Sequence, residues 1–190
     1  MDTLPNLIHR LSQDPFNYLL NFNVAKKYLE LNQTASAVSF FLRCAEYGES
    51  VVGANEHVYY SLLAIAKCFD TQSGREHSVT NTLLQALAFD DGKPDAYFYL
   101  SQYYERAGQW QECYTFAKMG MGWSFADYKP LLDLGYYGEA YLEFQMAIAA
   151  WWIGRKEESL TKLTELSKLD LHPSYQQAVK DNLEKLNALL

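Results

Sequence analysis

Side chains able to do chemistry are few in this sequence, and none is grouped as a reaction would need. The four histidines, His9, His57, His77 and His172, fall in separate segments and read as surface or capping residues rather than bases. Cys44, Cys68 and Cys113 are odd in number and far apart, so no pair has the short spacing of a zinc site or a redox motif. Each lies in a helical stripe and reads as a small buried hydrophobe in a reducing compartment. Asp90 and Asp91 are adjacent in a turn, where aspartate is common for its local hydrogen bonding, and do not read as a metal site. No glycine-rich loop cradles a phosphate and no nucleophile signature appears. The expectation is no catalytic residue, no cofactor and no metal: a chain that is not an enzyme.

Composition narrows the classes further. The chain has 190 residues, 49% hydrophobic and 15% aromatic, which is ample for a buried core. Its net charge of -7 gives no long-range attraction to a phosphate backbone, so a nucleic-acid role is not expected. The opening MDTLPNLIHRLSQD has no basic segment followed by an apolar run, so no secretory signal is read there, and a cytoplasmic home is expected. The most apolar window, 140–154, contains Glu143 and Gln145 and is too short and too polar to span a bilayer; it reads as a buried helix.

What elements could present such side chains is clearest between Lys93 and Gly122, KPDAYFYLSQYYERAGQWQECYTFAKMGMG. Tyr97, Leu100, Ser101 and Tyr104 form one helical stripe, and Trp110, Cys113, Ala117 and Gly120 form another. Pro94 suits a first helical turn, Asp95 stands at the positive end of the dipole, and Gly108 can take the left-handed conformation that stops the helix. The order small, aromatic, turn, small recurs in Ala25, Tyr28, the turn 32–34 and Ala37, so the chain contains an internal repeat. Small residues such as Ser101 and Gly120 are needed where paired helices approach closely. A leading helix or capping turn is expected before residue 14, with Asp14 and Pro15 starting the first hairpin. A capping box is read at Ser73 to Glu76. The hairpins fall at about 15–47, 56–90, 94–122 and 139–169, with an aromatic-rich insertion at 123–138 and a capping helix at 174–189, all in one domain.

The four hairpins resemble the tetratricopeptide family, most specifically the stretch from Ala86, ALAFDDGKPDAYFYLSQYYERAGQWQECYTFAKMGM. The resemblance implies an all-α, right-handed solenoid. Within that family KPDAYFYLSQYYERAG, GYYGEAYLEFQMAIAAWWIGRKEESL and HPSYQQAVKDNLEKL are similar to the helical region that follows the catalytic domain in some family 2 glycosyltransferases. That likeness covers the last two-thirds of the chain and transfers no catalytic residue, because the nucleotide-sugar domain and its spaced aspartates are absent. A solenoid lines its concave surface with its first helices. The expected partner-binding residues are therefore Phe22, Lys26, Lys67, Phe98, Gln102, Arg106, Tyr141 and Phe144, with Glu105, Ile148 and Trp151 beside them. Lys26, Lys67 and Arg106 suit an acidic peptide terminus. The opposing expectation for the aromatics is that they pack on a neighbouring hairpin or on the last helix. The sequence thus points to a non-catalytic interaction scaffold for a protein or peptide, accessory to or derived from a glycosyltransferase. The alternatives are a component named for glycosyltransferase activity, or a self-associating structural protein. The oligomeric state is left open.

Overall fold

Helical spacing dominates the sequence, and the computed structural model, which describes residues 2–123 and 128–189, contains no strand among them. Residues 124–127 of the expected insertion and Leu190 of the last stripe lie outside that description. The helices are α1 (Leu4–Gln13), α2 (Tyr18–Glu30), α3 (Thr34–Gly48), α4 (Asn55–Asp70), α5 (Glu76–Phe89), α6 (Pro94–Arg106), α7 (Trp110–Met121), α8 (Glu139–Trp152), α9 (Lys156–Leu166) and α10 (Pro173–Asn187). The fold is all-α and tetratricopeptide-like, with α2/α3, α4/α5, α6/α7 and α8/α9 as its hairpins.

Three of the four hairpins turn identically, over 31–33, 107–109 and 153–155. The middle residue is left-handed in each, with φ of 56° at Asn32, 68° at Gly108 and 85° at Gly154. The next N–H then donates five residues back: Gln33 to Tyr28 at 2.9 Å, Gln109 to Tyr104 at 2.9 Å and Arg155 to Ala150 at 2.8 Å. These bonds satisfy carbonyls that a helix end would otherwise leave open. Beside two of the turns an aromatic pair repeats at the same spacing, Tyr28 on Phe40 at 5.5 Å and Tyr104 on Phe116 at 5.4 Å, both nearly parallel. The turn between α4 and α5, over 71–75, is two residues longer, which is where the repeat pattern loosens.

Two helix starts differ from the sequence reading. α2 begins at Tyr18 because Asn17 caps it, its side chain accepting from the Leu20 N–H at 3.0 Å. Asp14 instead closes α1, its own N–H donating to the Arg10 carbonyl, while its carboxylate accepts from the Asn17 amide at 2.9 Å. α5 begins at Glu76 with Arg75 before it and no side-chain cap, since left-handed Gly74 (φ 73°) ends the turn after Ser73 and leaves no capping box.

The chain divides into two compact units, 1–91 with 129–134, and 92–128 with 135–190. In the N-terminal unit α1 lays Leu7 and Leu11 against Leu20 and Val24 of α2, and α4 forms the centre, with Val58, Tyr59, Tyr60, Leu63 and Ile65 buried. Gly48 of α3 meets α4 so closely that an added Cβ would lie 2.7 Å from Val58 Cγ2. In the C-terminal unit α8 is buried on nearly every side from Tyr141 to Trp151, as the apolar window suggested. Phe144, Ile148 and Trp151 meet Leu163 and Leu166 of α9 and Val179 and Leu186 of α10. Ser101 is fully buried, and a Cβ on Gly120 would stand 2.7 Å from Tyr97 Cβ, so both mark close helix contacts. Among the described residues no helix is long and apolar enough to cross a membrane.

Candidate functional site

The residues assigned to a binding face divide between the units. In the N-terminal unit Phe22 and Lys26 sit one turn apart on α2, and Lys67 sits near the end of α4. Phe22 is 2% exposed and places its ring 5.7 Å from Phe41 and 4.9 Å from His57, both edge to face. Its role in the fold is core packing, not an open surface. Lys26 lies over that ring, its ammonium 5.7 Å from the centroid, and remains half-exposed. His57 is held below the ordinary histidine value, first by burial and then by the Lys26 charge, with Glu56 opposing. Its Nδ1 is buried without a hydrogen-bond partner among the described residues. Lys67 donates to the carbonyl of Leu134, so its ammonium is engaged by the 129–134 segment of its own unit.

In the C-terminal unit the first helices are α6 and α8, and the side expected to face a partner is largely covered by the chain itself. Phe98 is fully buried, its ring 5.2 Å from Tyr136 and 5.5 Å from Tyr99. The whole run Pro94–Ser101 is buried, because Tyr136 and Tyr128 from the insertion pack on α6, the Tyr128 hydroxyl donating to Asp95. Phe98 therefore faces the core where an open surface was expected. Three other candidates meet at one place. Gln102 donates to the Tyr175 hydroxyl at 3.1 Å, and the rings of Tyr141 and Phe144 stand edge-on to Tyr175 at 4.3 and 5.3 Å. The Tyr141 hydroxyl also accepts from the His172 N–H at 3.2 Å. The aromatics of α8 thus pack on the last helix, the opposing expectation from the sequence. Arg106, at the end of α6, is exposed.

Tyr175 is the principal residue that sequence reasoning missed. It lies three positions into α10, one turn before Val179, and extends the Val179, Leu183 and Leu186 stripe, which the sequence reading began a turn too late. Burial, against the Gln102 hydrogen bond, pushes its phenol up to about 12. Beside it burial raises the Glu105 carboxyl, opposed by a hydrogen bond from Gln145. Amide, two aromatic edges and a half-buried carboxyl make a cradle suited to holding a phenol or another flat polar group, and contain no nucleophile and base within reach of one another. The cysteines are all buried thiols, with Cys44 raised to about 11 and Cys113 to about 12, chiefly by burial. Among the described residues no group of three or more His, Cys, Asp or Glu is placed to hold a metal.

No protein-family model matches the sequence, and no curated protein matches it either. Solved structures do. A thermophilic TPR protein of Thermus thermophilus superposes with a TM-score of 0.55 at 12% identity, over 98% of this chain and 89% of that one. MamA from Desulfovibrio magneticus RS-1 gives 0.60 at 12% identity, over 87% and 82%. A chain of the APC/C hetero-tetramer Cut9–Hcn1 gives 0.64 at 12% identity, covering 95% of this chain and 32% of that one. At such identities the likeness speaks for architecture, and the architecture is that of tetratricopeptide-repeat proteins.

Proposed function

We propose that the chain is a non-catalytic interaction scaffold that takes a protein or peptide partner on the faces of its first helices. The observation that carries this reading is the cluster around Tyr175. Gln102, Tyr141 and Phe144 project from two successive first helices and together hold an aromatic side chain by edge contacts and one hydrogen bond. A surface that binds the chain's own tyrosine in this way has the chemistry to bind a partner's. Lys26, half-exposed on α2, and Arg106, exposed on α6, suit an acidic residue or terminus. One similar structure belongs to a hetero-tetramer, Cut9–Hcn1, which supports the same reading.

The finer reading, an accessory of a glycosyltransferase, is supported by the likeness of the last two-thirds of the chain to the helical region of some family 2 enzymes. A cytoplasmic home is supported by three unpaired, buried thiols and the acidic net charge. No nucleic-acid or membrane partner is proposed.

The test is cross-linking in the native host to identify a partner, followed by affinity measurements on K26A, R106A and, as control, K118A on α7. Loss of more than tenfold in either of the first two, about 1.4 kcal/mol, with K118A unchanged, is the expected outcome. Binding lost in K118A alone places function on the second helices instead. A nucleotide-sugar transferase among the cross-linked proteins supports the finer reading, and sugar transfer by the purified chain alone refutes the non-catalytic one.

A further inference from the structure

Within the N-terminal unit the second helices α3 and α5 leave a hollow of about 740 Å3 over α4, inside the range of about 300–1,000 Å3 usual for ligand sites. Its base is apolar, made by buried Val58 and half-buried Leu62 of α4. Its sides are Leu42, 51% exposed on α3, and half-buried Phe89 on α5. Exposed Glu46 and Glu49 stand at one edge, about one turn apart at the end of α3. That end is the negative pole of the helix dipole, and α3 has no basic residue in its last turn to offset it. Among the described residues neither carboxylate has an ion-pair or hydrogen-bond partner. The hollow therefore joins an apolar floor to an uncompensated negative edge.

Repeat geometry alone does not produce it. Leu62 lies four residues before Ala66, which like Ala25 and Ser101 is followed three residues on by an aromatic, and the residue four before Ala147 on α8 is Glu143. Glu143 is tied to Lys162 of α9 at 2.9 Å, so on α8 that position carries a polar bridge, and on α6 the residue four before Ser101 is Tyr97, which is buried. In the N-terminal unit the same position is a leucine open to the hollow.

We infer that this hollow docks a basic amphipathic helix of a protein partner. The helix lays an apolar stripe of i, i+3, i+4, i+7 spacing on Val58, Leu62 and Phe89 and sets lysine or arginine over Glu46 and Glu49. The inference goes beyond the first-helix reading, because it uses the second helices and stands if that reading falls.

The experiment measures fluorescence anisotropy with two labelled helical peptides of about four turns, sharing one leucine stripe and carrying lysine or glutamate on the opposite face. The full chain is expected to bind the lysine peptide at least tenfold more tightly than the glutamate peptide, with methyl NMR shifts at Leu42, Val58 and Leu62. E46K/E49K should reverse that preference, and the milder E46Q/E49Q should weaken the lysine peptide; both sites are exposed, so melting should hold. E157K/E165K on α9 changes net charge equally and should leave the preference intact. R106A should also bind the lysine peptide normally, which separates this site from the first-helix face. Equal binding of both peptides, a preference that E157K/E165K also reverses, or methyl shifts elsewhere would each overturn the proposal. So would concentration-dependent self-association abolished by E46K/E49K, which would make a second copy the occupant.

Discussion

A single methyl group tests two close helix contacts. Alanine in place of a helical glycine ordinarily gains about 0.8–1 kcal/mol of helix propensity, whereas overpacking a core costs about 1–3 kcal/mol. At Gly120 the new Cβ meets Tyr97 Cβ at 2.7 Å and the Leu142 methyls at 3.0 and 3.1 Å, and a Cβ moves only with its backbone. At Gly48 the nearest atom, also at 2.7 Å, is a methyl carbon, Val58 Cγ2, which a turn about χ1 moves at the cost of a less favoured helical rotamer. Gly120→Ala should therefore lose about 1 kcal/mol net and Gly48→Ala should be close to neutral in denaturant melts; the opposite order would show the α7 contact to be looser than drawn. Both glycines sit in apolar stripes, and Gly120 was legible from the sequence as a close contact because a small residue recurs there. His57 offers a second residue-scale test. Its folded value lies below 6.5, so the fold favours the neutral ring. The sign follows: stability is full above 6.5 and declines as pH falls from there toward the lowered value, where the unfolded chain binds the proton first. NMR titration should find His57 protonating below 6.5 on acidification. Lys26→Ala should raise its value without restoring 6.5, because burial is the larger cause. Full restoration would assign the shift to the lysine.

Elements are terminated by backbone conformation more than by side chains, and the turns permit a clean comparison. Nothing lies within 4 Å of a Cβ built on Gly108 or Gly154, so alanine there carries only the left-handed penalty, about 1 kcal/mol each. Asn32 already holds φ 56° in the same place, and Asn32→Gly should change stability by less than about half a kcal/mol. Equal losses at Asn32 and Gly108 would mean the turns are not equivalent. The glycine turns were legible in the sequence, because a helix needs a left-handed stop and only a few residue types supply one. The starts of α2 and α5 were not. Asp14 and Ser73 have capping chemistry, but Asn17 and left-handed Gly74 act nearer the helix, and several polar residues in a row cannot be ranked without the backbone. The all-round burial of Pro94–Ser101 was likewise hidden. α6 has an amphipathic period, yet Tyr136 covers its other face from far along the chain, and periodicity within a helix reports nothing about a distant ring.

At the scale of the whole molecule, the repeat was visible and the partition was not. Hairpin spacing says which helices pair, whereas the assignment of 129–134 to the N-terminal unit depends on contacts such as Lys67 to the Leu134 carbonyl that no local pattern encodes. The same limit explains the candidate site. Which residues lie opposite a packing stripe can be counted from the sequence, but that Tyr175 would fill the space before Gln102, Tyr141 and Phe144 cannot. Removal of that occupant gives a direct measure: Tyr175→Ala should leave unprotected aromatic surface on α8, read as dye binding, and should cost less than the roughly 3–5 kcal/mol of a core aromatic, because Tyr175 is half-buried. The division of the chain also bears on its birth. The N-terminal unit is discontinuous in sequence: it is left at residue 91, resumed at 129 and finished at 134. A ribosome adding about 5–20 residues per second reaches Leu134 roughly two to nine seconds after Asp91. During that interval the emerging unit holds α4 with Lys67 lacking its carbonyl acceptor, while α6 and α7 are already being made. Nascent chains arrested before residue 134 should therefore exchange amide protons around Lys67 faster than chains arrested beyond it, and completion of the first half of this protein waits on the translation of its second.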